Sequence, residues 1–239
     1  MPEHVVSEEE KVKHLAEAEK FKAEARKATA EAIKFEADAA IAIIQKNKTE
    51  RAEREELAGD KFNHIYYFTD AVGSSSIKQC INQLTLWNRL EPKCGIEINF
   101  NSPGGSVIDG MVLFDFIQGM KRKGHHIITS TLGMAASMAG ILLQAGDTRV
   151  VHKEAWLLIH EVSFGASGSM GAVEDTVDWA KRIQERVLNI FAERCKLAGE
   201  SGTAKHPLNK TQLKKRWSRK DWWISSENAL DWGLIDEIR

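Results

Sequence analysis

Ser137 stands in the run Thr131-Leu-Gly-Met-Ala-Ala-Ser-Met-Ala-Gly140, among side chains small enough for a peptide backbone to approach. A serine hydroxyl becomes a nucleophile only when a base takes its proton and N–H groups hold the oxyanion that forms. Two other segments can supply both needs. Asn101-Ser-Pro-Gly-Gly105 lies upstream, and its Gly104-Gly105 pair lets the backbone come close to a ligand carbonyl. Leu158-Ile-His160 lies downstream and ends in an imidazole. Ser137 is then the candidate nucleophile, His160 the candidate base and the glycine turn an oxyanion site, which together make acyl-transfer chemistry.

Each part alone has a plainer reading: a small packing serine, an ordinary tight turn, a packed polar histidine. The conjunction, in this order, argues for chemistry. A serine–lysine dyad would need Lys153, which a well-placed His160 makes unnecessary. His125-His126 fall in a connecting segment and read as surface residues rather than a metal pair. Trp222, Trp223 and Trp232 read as core. No cofactor and no metal are implied.

The elements that must position these residues follow from periodicity. Residues 64–68, 96–100, 127–131, 149–151 and 156–159 read as strands. Residues 75–90, 107–120 and 171–197 read as helices, and a small-residue helix is expected from Gly133 to about Ala145, with Ser137 at its start. Strands alternating with helices imply βαβ units and a mainly parallel sheet.

Composition changes near residue 60. Residues 1–58 are rich in Ala, Glu and Lys, and all seven tryptophans fall in 59–239. Ser7-Glu-Glu-Glu10 fits a capping box. Phe21, Ala25, Ala28, Ala32, Phe35, Ala39 and Ala42 then keep an alternating spacing of four and three, the seam of a coiled coil. The same pattern also suits a solvated single helix. The formal net charge of −1 gives no field for nucleic acid or an anionic membrane. No apolar run approaches the ~18 residues of a membrane span. No basic-then-apolar leader opens the chain, and the three cysteines lack metal spacing and read as reduced thiols of a cytoplasmic protein.

From about Phe62 to Ile238 the sequence resembles the proteolytic subunit of the Clp protease. The marks are Asn101-Ser-Pro-Gly-Gly105, Gly110-Met111, Gly133-Met-Ala-Ala-Ser-Met138, Leu158-Ile-His160 and Trp232-Gly-Leu-Ile-Asp236. The resemblance implies the α/β superhelix of the Clp and crotonase proteins with a projecting handle helix, here preceded by a long charged helix. It implies a serine endopeptidase with Ser137 as nucleophile, His160 as base, and the amides of Gly105 and Met138 as the oxyanion hole. Gly104, Val162, Ser163, Phe164 and Gly165 would meet the substrate, with residues 162–168 pairing to its backbone. It also implies a protein or peptide substrate, a homo-oligomer and, if unfolding is ATP-driven, a separate ATPase.

One position departs from the pattern. Trp217 stands where the family has its triad aspartate, and an indole cannot accept a proton-bearing nitrogen's hydrogen bond. Three readings stay open: Asp221 takes the role by a shift in register; Glu161, Glu174, Asp178 or a backbone carbonyl orients His160; or the enzyme is weak or inactive. The altered acid position and the charged helix resemble the capsid maturation proteases of tailed phages, which cleave scaffold or capsid protein inside a procapsid. A subunit working with a host ATPase, a degenerate assembly protein and a crotonase acting on acyl-CoA are the alternatives.

Overall fold

The computed structural model describes residues 7–218 and 220–239. It divides into a unit ending at Gly59 and a unit of residues 60–239. The first is one helix, α1 (Glu8–Leu57), opened by the expected capping box: Ser7 Oγ accepts from Glu10 N, and the Glu10 carboxylate accepts from Ser7 N. Glu10, Glu17, Glu24, Glu31 and Asp38 recur every seven residues, interleaved with Lys13, Lys20, Lys27 and Lys34. This places opposite charges three and four residues apart, as in the Lys27–Glu31 pair at 3.9 Å, and supports the helix without burial. No α1 residue is buried, and Phe21 and Phe35 of the seam are 74% and 76% exposed.

The second unit runs β1 (Ile65–Phe68), α2 (Ser74–Leu90), β2 (Ile96–Ser102), α3 (Val107–Arg122), β3 (Ile127–Ala136), α4 (Met138–Leu143), β4 (Thr148–Val151), β5 (Trp156–Ile159), α5 (Met170–Glu200), α6 (Lys210–Trp217), β6 (Trp222–Ser225), α7 (Ser226–Asp231) and β7 (Glu237–Ile238). The sheet order is β1-β2-β3-β4-β7, all parallel; β5 joins β3 in parallel and carries β6 antiparallel on its other side. This is the expected α/β arrangement of successive βαβ units. The core is formed by buried side chains of β2, α2 and α3, such as Ile98, Phe100, Leu84 and Leu113, and by the fully buried α4.

The structure departs from the sequence reading at the site. The small-residue helix does not begin at Gly133: β3 runs on to Ala136, and α4 starts at Met138. The reason is a change of partner along β3. Its residues 128–131 pair with β4, and its residues 134–136 pair with β5. Gly133 (φ 84°) lies at the change, where an added Cβ would sit 2.8 Å from Asn101 Oδ1. The short final elements α6, β6, α7 and β7 have no strong period and were not legible in the sequence.

Two other expectations are corrected. His125 is buried, with Nε2 against Asn88 Oδ1 at 2.9 Å and Nδ1 against the Cys94 carbonyl at 3.0 Å. Trp223 is half exposed on β6, whereas Trp222 is buried and packs on Trp232, with the Arg216 guanidinium over both rings. All three cysteines are free thiols, and no cluster of metal-binding side chains occurs among the described residues.

α5 carries an apolar stripe, but no residue before Ala180 is buried; Val187, Leu188, Phe191 and Cys195 pack on the core. Trp217, at the end of α6, is almost fully buried and meets Phe191 edge to face at 6.1 Å. The other end of the sheet is closed by charge. Arg149 of β4 is 1% exposed and forks onto Asp236 through Nε (2.9 Å) and Nη2 (2.5 Å), while Nη1 donates to Gln144 and to the Gly233 carbonyl. Burial works against ionisation of Asp236, but the hydrogen bonds and charge of Arg149 outweigh it and hold the carboxyl below the usual aspartate range.

A group whose folded pKa is depressed stabilises fully above its unfolded value, about 3.9 for aspartate, and loses that contribution as pH falls through the folded value. Urea unfolding across pH 2–6 is expected to show this acid loss, and Asp236→Asn to flatten it. The same variant leaves a buried guanidinium without its counter-charge and is expected to lose about 3 kcal/mol at neutral pH. Trp217→Ala, measured in the same way, is expected to cost about 3–5 kcal/mol through the cavity left against Phe191.

Candidate active site

The candidate nucleophile, Ser137, sits at a strand-to-helix elbow. Ser137 follows the last residue of β3 and caps α4 with φ 54° and ψ −121°, a conformation that costs a non-glycine residue of order 1–3 kcal/mol. Two bonds hold it: Ser137 N donates to the Leu158 carbonyl at 2.8 Å, and Ile141 N donates to the Ser137 carbonyl at 3.3 Å. The elbow projects the side chain at the sheet's end, and the Ser137 hydroxyl has no hydrogen-bond partner among the described residues. Met138, the next residue, opens α4, so its N–H belongs to the first turn that has no partner within the helix.

The glycine turn presses against this elbow from β2. Ser102 shapes it, its hydroxyl donating to the Asp70 carbonyl at 2.6 Å and accepting from Gly104 N at 3.2 Å. Gly104 has φ 88°, and a Cβ there would sit 2.5 Å from the Ala136 carbonyl oxygen and 2.7 Å from Ser137 Cβ. Gly105 has φ 147°, and its Cβ would fall 2.3 Å from the Val72 carbonyl oxygen. Val72 N donates to the Gly104 carbonyl and Ser106 N to the Val72 carbonyl, each at 2.8 Å, as one parallel bridge. In such a ladder the intervening residue's own N–H faces the other way. Gly105 thus turns its amide from Val72, and it lines one narrow pocket together with Ser137, Met138 and His160. That pocket is small, about 50 Å³. Gly110 of α3 completes the packing: a Cβ there would strike the Met138 side chain.

His160 follows β5, which is paired on both sides, with β3 and with β6. Its Nδ1 lies 2.6 Å from the Glu161 carbonyl oxygen. A carbonyl only accepts, so Nδ1 carries the hydrogen and Nε2 keeps its lone pair. That is the tautomer a general base needs toward a serine hydroxyl.

The acids named from the sequence stand elsewhere. Asp221 is exposed in the turn before β6, and Glu174 and Asp178 are exposed on α5, Asp178 with Lys181 at 3.0 Å. Glu161 alone of them lines the pocket, and its carboxylate accepts from Ser218 Oγ at 3.0 Å. The Trp217 indole N–H is buried without a partner. Lys153 is exposed, and no lysine lines the pocket. Val162 and Ser163 line the pocket beside His160, while Phe164 and Gly165 lie exposed in the irregular stretch that leads to α5. Val162 N donates to Gln184 of α5 at 3.3 Å.

Sequence reasoning missed Ser218, which carries no motif and owes its place to the packing of α6. It also gave no sign of the Cys94–His125–Asn88 chain, whose order mimics a thiol triad. Burial pushes the Cys94 thiol upward, so the sulfur stays protonated and the chain reads as core.

The family model described as Clp protease matches residues 60–239. The chain is 30% identical over 196 residues to the ATP-dependent Clp protease proteolytic subunit 2 of Parasynechococcus marenigrum, covering 79% of this chain and 92% of that one. It is 31% identical over 160 residues to the ATP-dependent Clp protease proteolytic subunit of Bacteroides fragilis, covering 65% of this chain and 69% of that one. With a family match across the whole second unit, including the pocket lined by the strained Ser137, Gly105 and His160, the chain belongs to the Clp protease family of peptidases, in its proteolytic-subunit branch.

Proposed function

We propose that the chain is a serine endopeptidase. Ser137 Oγ attacks the scissile carbonyl carbon while its proton passes to His160 Nε2. The tetrahedral oxyanion is held by the N–H groups of Gly105 and Met138. Collapse of the intermediate expels the amine, which takes its proton from His160. Water then attacks the acyl-enzyme by the same route in reverse and frees Ser137. Residues 162–165 pair with the substrate backbone, setting the scissile bond against the elbow. The observation that carries this reading is the 2.6 Å contact between His160 Nδ1 and the Glu161 carbonyl, in the pocket that Ser137 also lines.

The finer reading is a phage head maturation protease, self-assembled and cleaving scaffold or capsid protein within a procapsid. Its support is the 50-residue charged helix α1 ahead of the catalytic unit, together with Trp217 at the acid position. The printed names of the relatives, ATP-dependent Clp protease subunits, favour a second reading in which a homo-oligomer works with a separate ATPase.

A fluorophosphonate probe tests the chemistry without a known substrate. The expected result is stoichiometric labelling of the parent, mapped to Ser137 by mass spectrometry, lost in Ser137→Ala and reduced by three to four orders of magnitude in His160→Ala. An unlabelled parent would leave the degenerate assembly protein as the better reading. Gly105→Ala is expected to slow labelling by about two orders of magnitude, the loss of one oxyanion donor, since its Cβ cannot fit against Val72.

A further inference from the structure

We propose that Glu161 is the positioning residue for His160 and that Ser218 anchors it, so that the end of α6 acts on the histidine through residue 161 instead of through an acid at 217. This rests on reading His160 as the general base. Two contacts on one residue carry it. The Glu161 main-chain carbonyl accepts from His160 Nδ1–H at 2.6 Å, and the Glu161 side-chain carboxylate accepts from Ser218 Oγ at 3.0 Å. A carbonyl one residue along is a poor orienter by itself, because the peptide that bears it can rotate away. Here that peptide begins an irregular stretch with no strand to hold it, tied to α5 by the long bond from Val162 N to Gln184 at 3.3 Å. The bond to Ser218 at 3.0 Å adds the second and shorter restraint on residue 161, and a hydroxyl bound to an ionised carboxylate is stronger than a neutral pair.

The anchor is itself held. Ser218 follows Trp217, whose ring is buried against Phe191, and Ser218 N donates to the Lys214 carbonyl at 3.2 Å. Trp217 is therefore the wedge that places Ser218, and its indole plays no polar part at the imidazole. Glu161 also lines the pocket that His160 lines. Glu161 thus combines two tasks that a triad aspartate performs with one group, fixing the tautomer and placing negative charge nearby.

The test uses the full chain and two readouts. The first is the fluorophosphonate labelling rate at Ser137, split into saturation constant and maximal rate. The second is the His160 tautomer from long-range proton–nitrogen correlation on 15N-histidine protein, assigned by the signal absent from His160→Gln. Glu161→Ala and Ser218→Ala both keep the Glu161 carbonyl. Each is expected to lower the maximal rate at least tenfold, short of the roughly 10⁴-fold loss of a wrong tautomer, with the saturation constant unchanged. Each is also expected to populate the Nε2–H form, and Ser218→Thr is expected to restore both readouts. Parent-like rates and tautomer in both alanine variants would overturn the proposal. A parent that is not labelled would instead overturn the catalytic reading, and the tautomer measurement would then decide the anchor alone.

Discussion

The hydrogen bond from Ser137 N to the Leu158 carbonyl is the contact that joins the serine elbow to the strand leading to His160. It ties the end of β3 to β5, and it holds a serine in a backbone region that side chains disfavour. β3 leaves β4 for β5 only a few residues earlier, so the strand reaches the elbow paired with the strand that leads to His160. The strain is over-determined by neighbours: Gly104 abuts the Ser137 Cβ, and the buried Met138 side chain lies against Gly110. The strained serine, the glycine turn and the histidine thus meet beside the point where β3 changes partner.

The position at 217 shows a different balance. An aspartate there would bring charge to the imidazole; a tryptophan brings buried area, and Trp217 sits among the largest fully buried side chains of the chain. Its unpartnered N–H gives back about 1–3 kcal/mol of that gain, which the ring's burial and its edge-to-face contact with Phe191 offset. Orientation of the histidine is recovered from main chain. A carbonyl dipole supplies the tautomer but only a partial charge, so orientation and electrostatic support are separated onto different atoms.

Much of this was legible in residue order. The Gly-Gly turn, the serine among small residues and the histidine after an apolar strand are local patterns, and the βαβ alternation gave the parallel sheet. The long helix with its capping box was equally plain, since seven-residue repeats need no tertiary partner to be recognised. The start of α4 was misplaced because Gly133 and the alanines carry no period; only the switch of β3 from β4 to β5 keeps them extended. His125 looked like a surface residue because its partners, Asn88 and the Cys94 carbonyl, lie 37 and 31 residues away. Ser218 was invisible for the same reason, standing 57 residues from Glu161.

The fork between Arg149 and Asp236 has a meaning for synthesis. The two residues are 87 positions apart, and Arg149 is buried on β4, between β3 and β7. Chains grow from the amino terminus at roughly 5–20 residues per second, so for several seconds β4 exists without its counter-charge. Until residue 236 is made, the guanidinium cannot enter the interior except at high cost, and the final closure of the sheet waits for it. A message cut short before that codon yields a chain with every residue of the pocket and no means of completing the sheet around them.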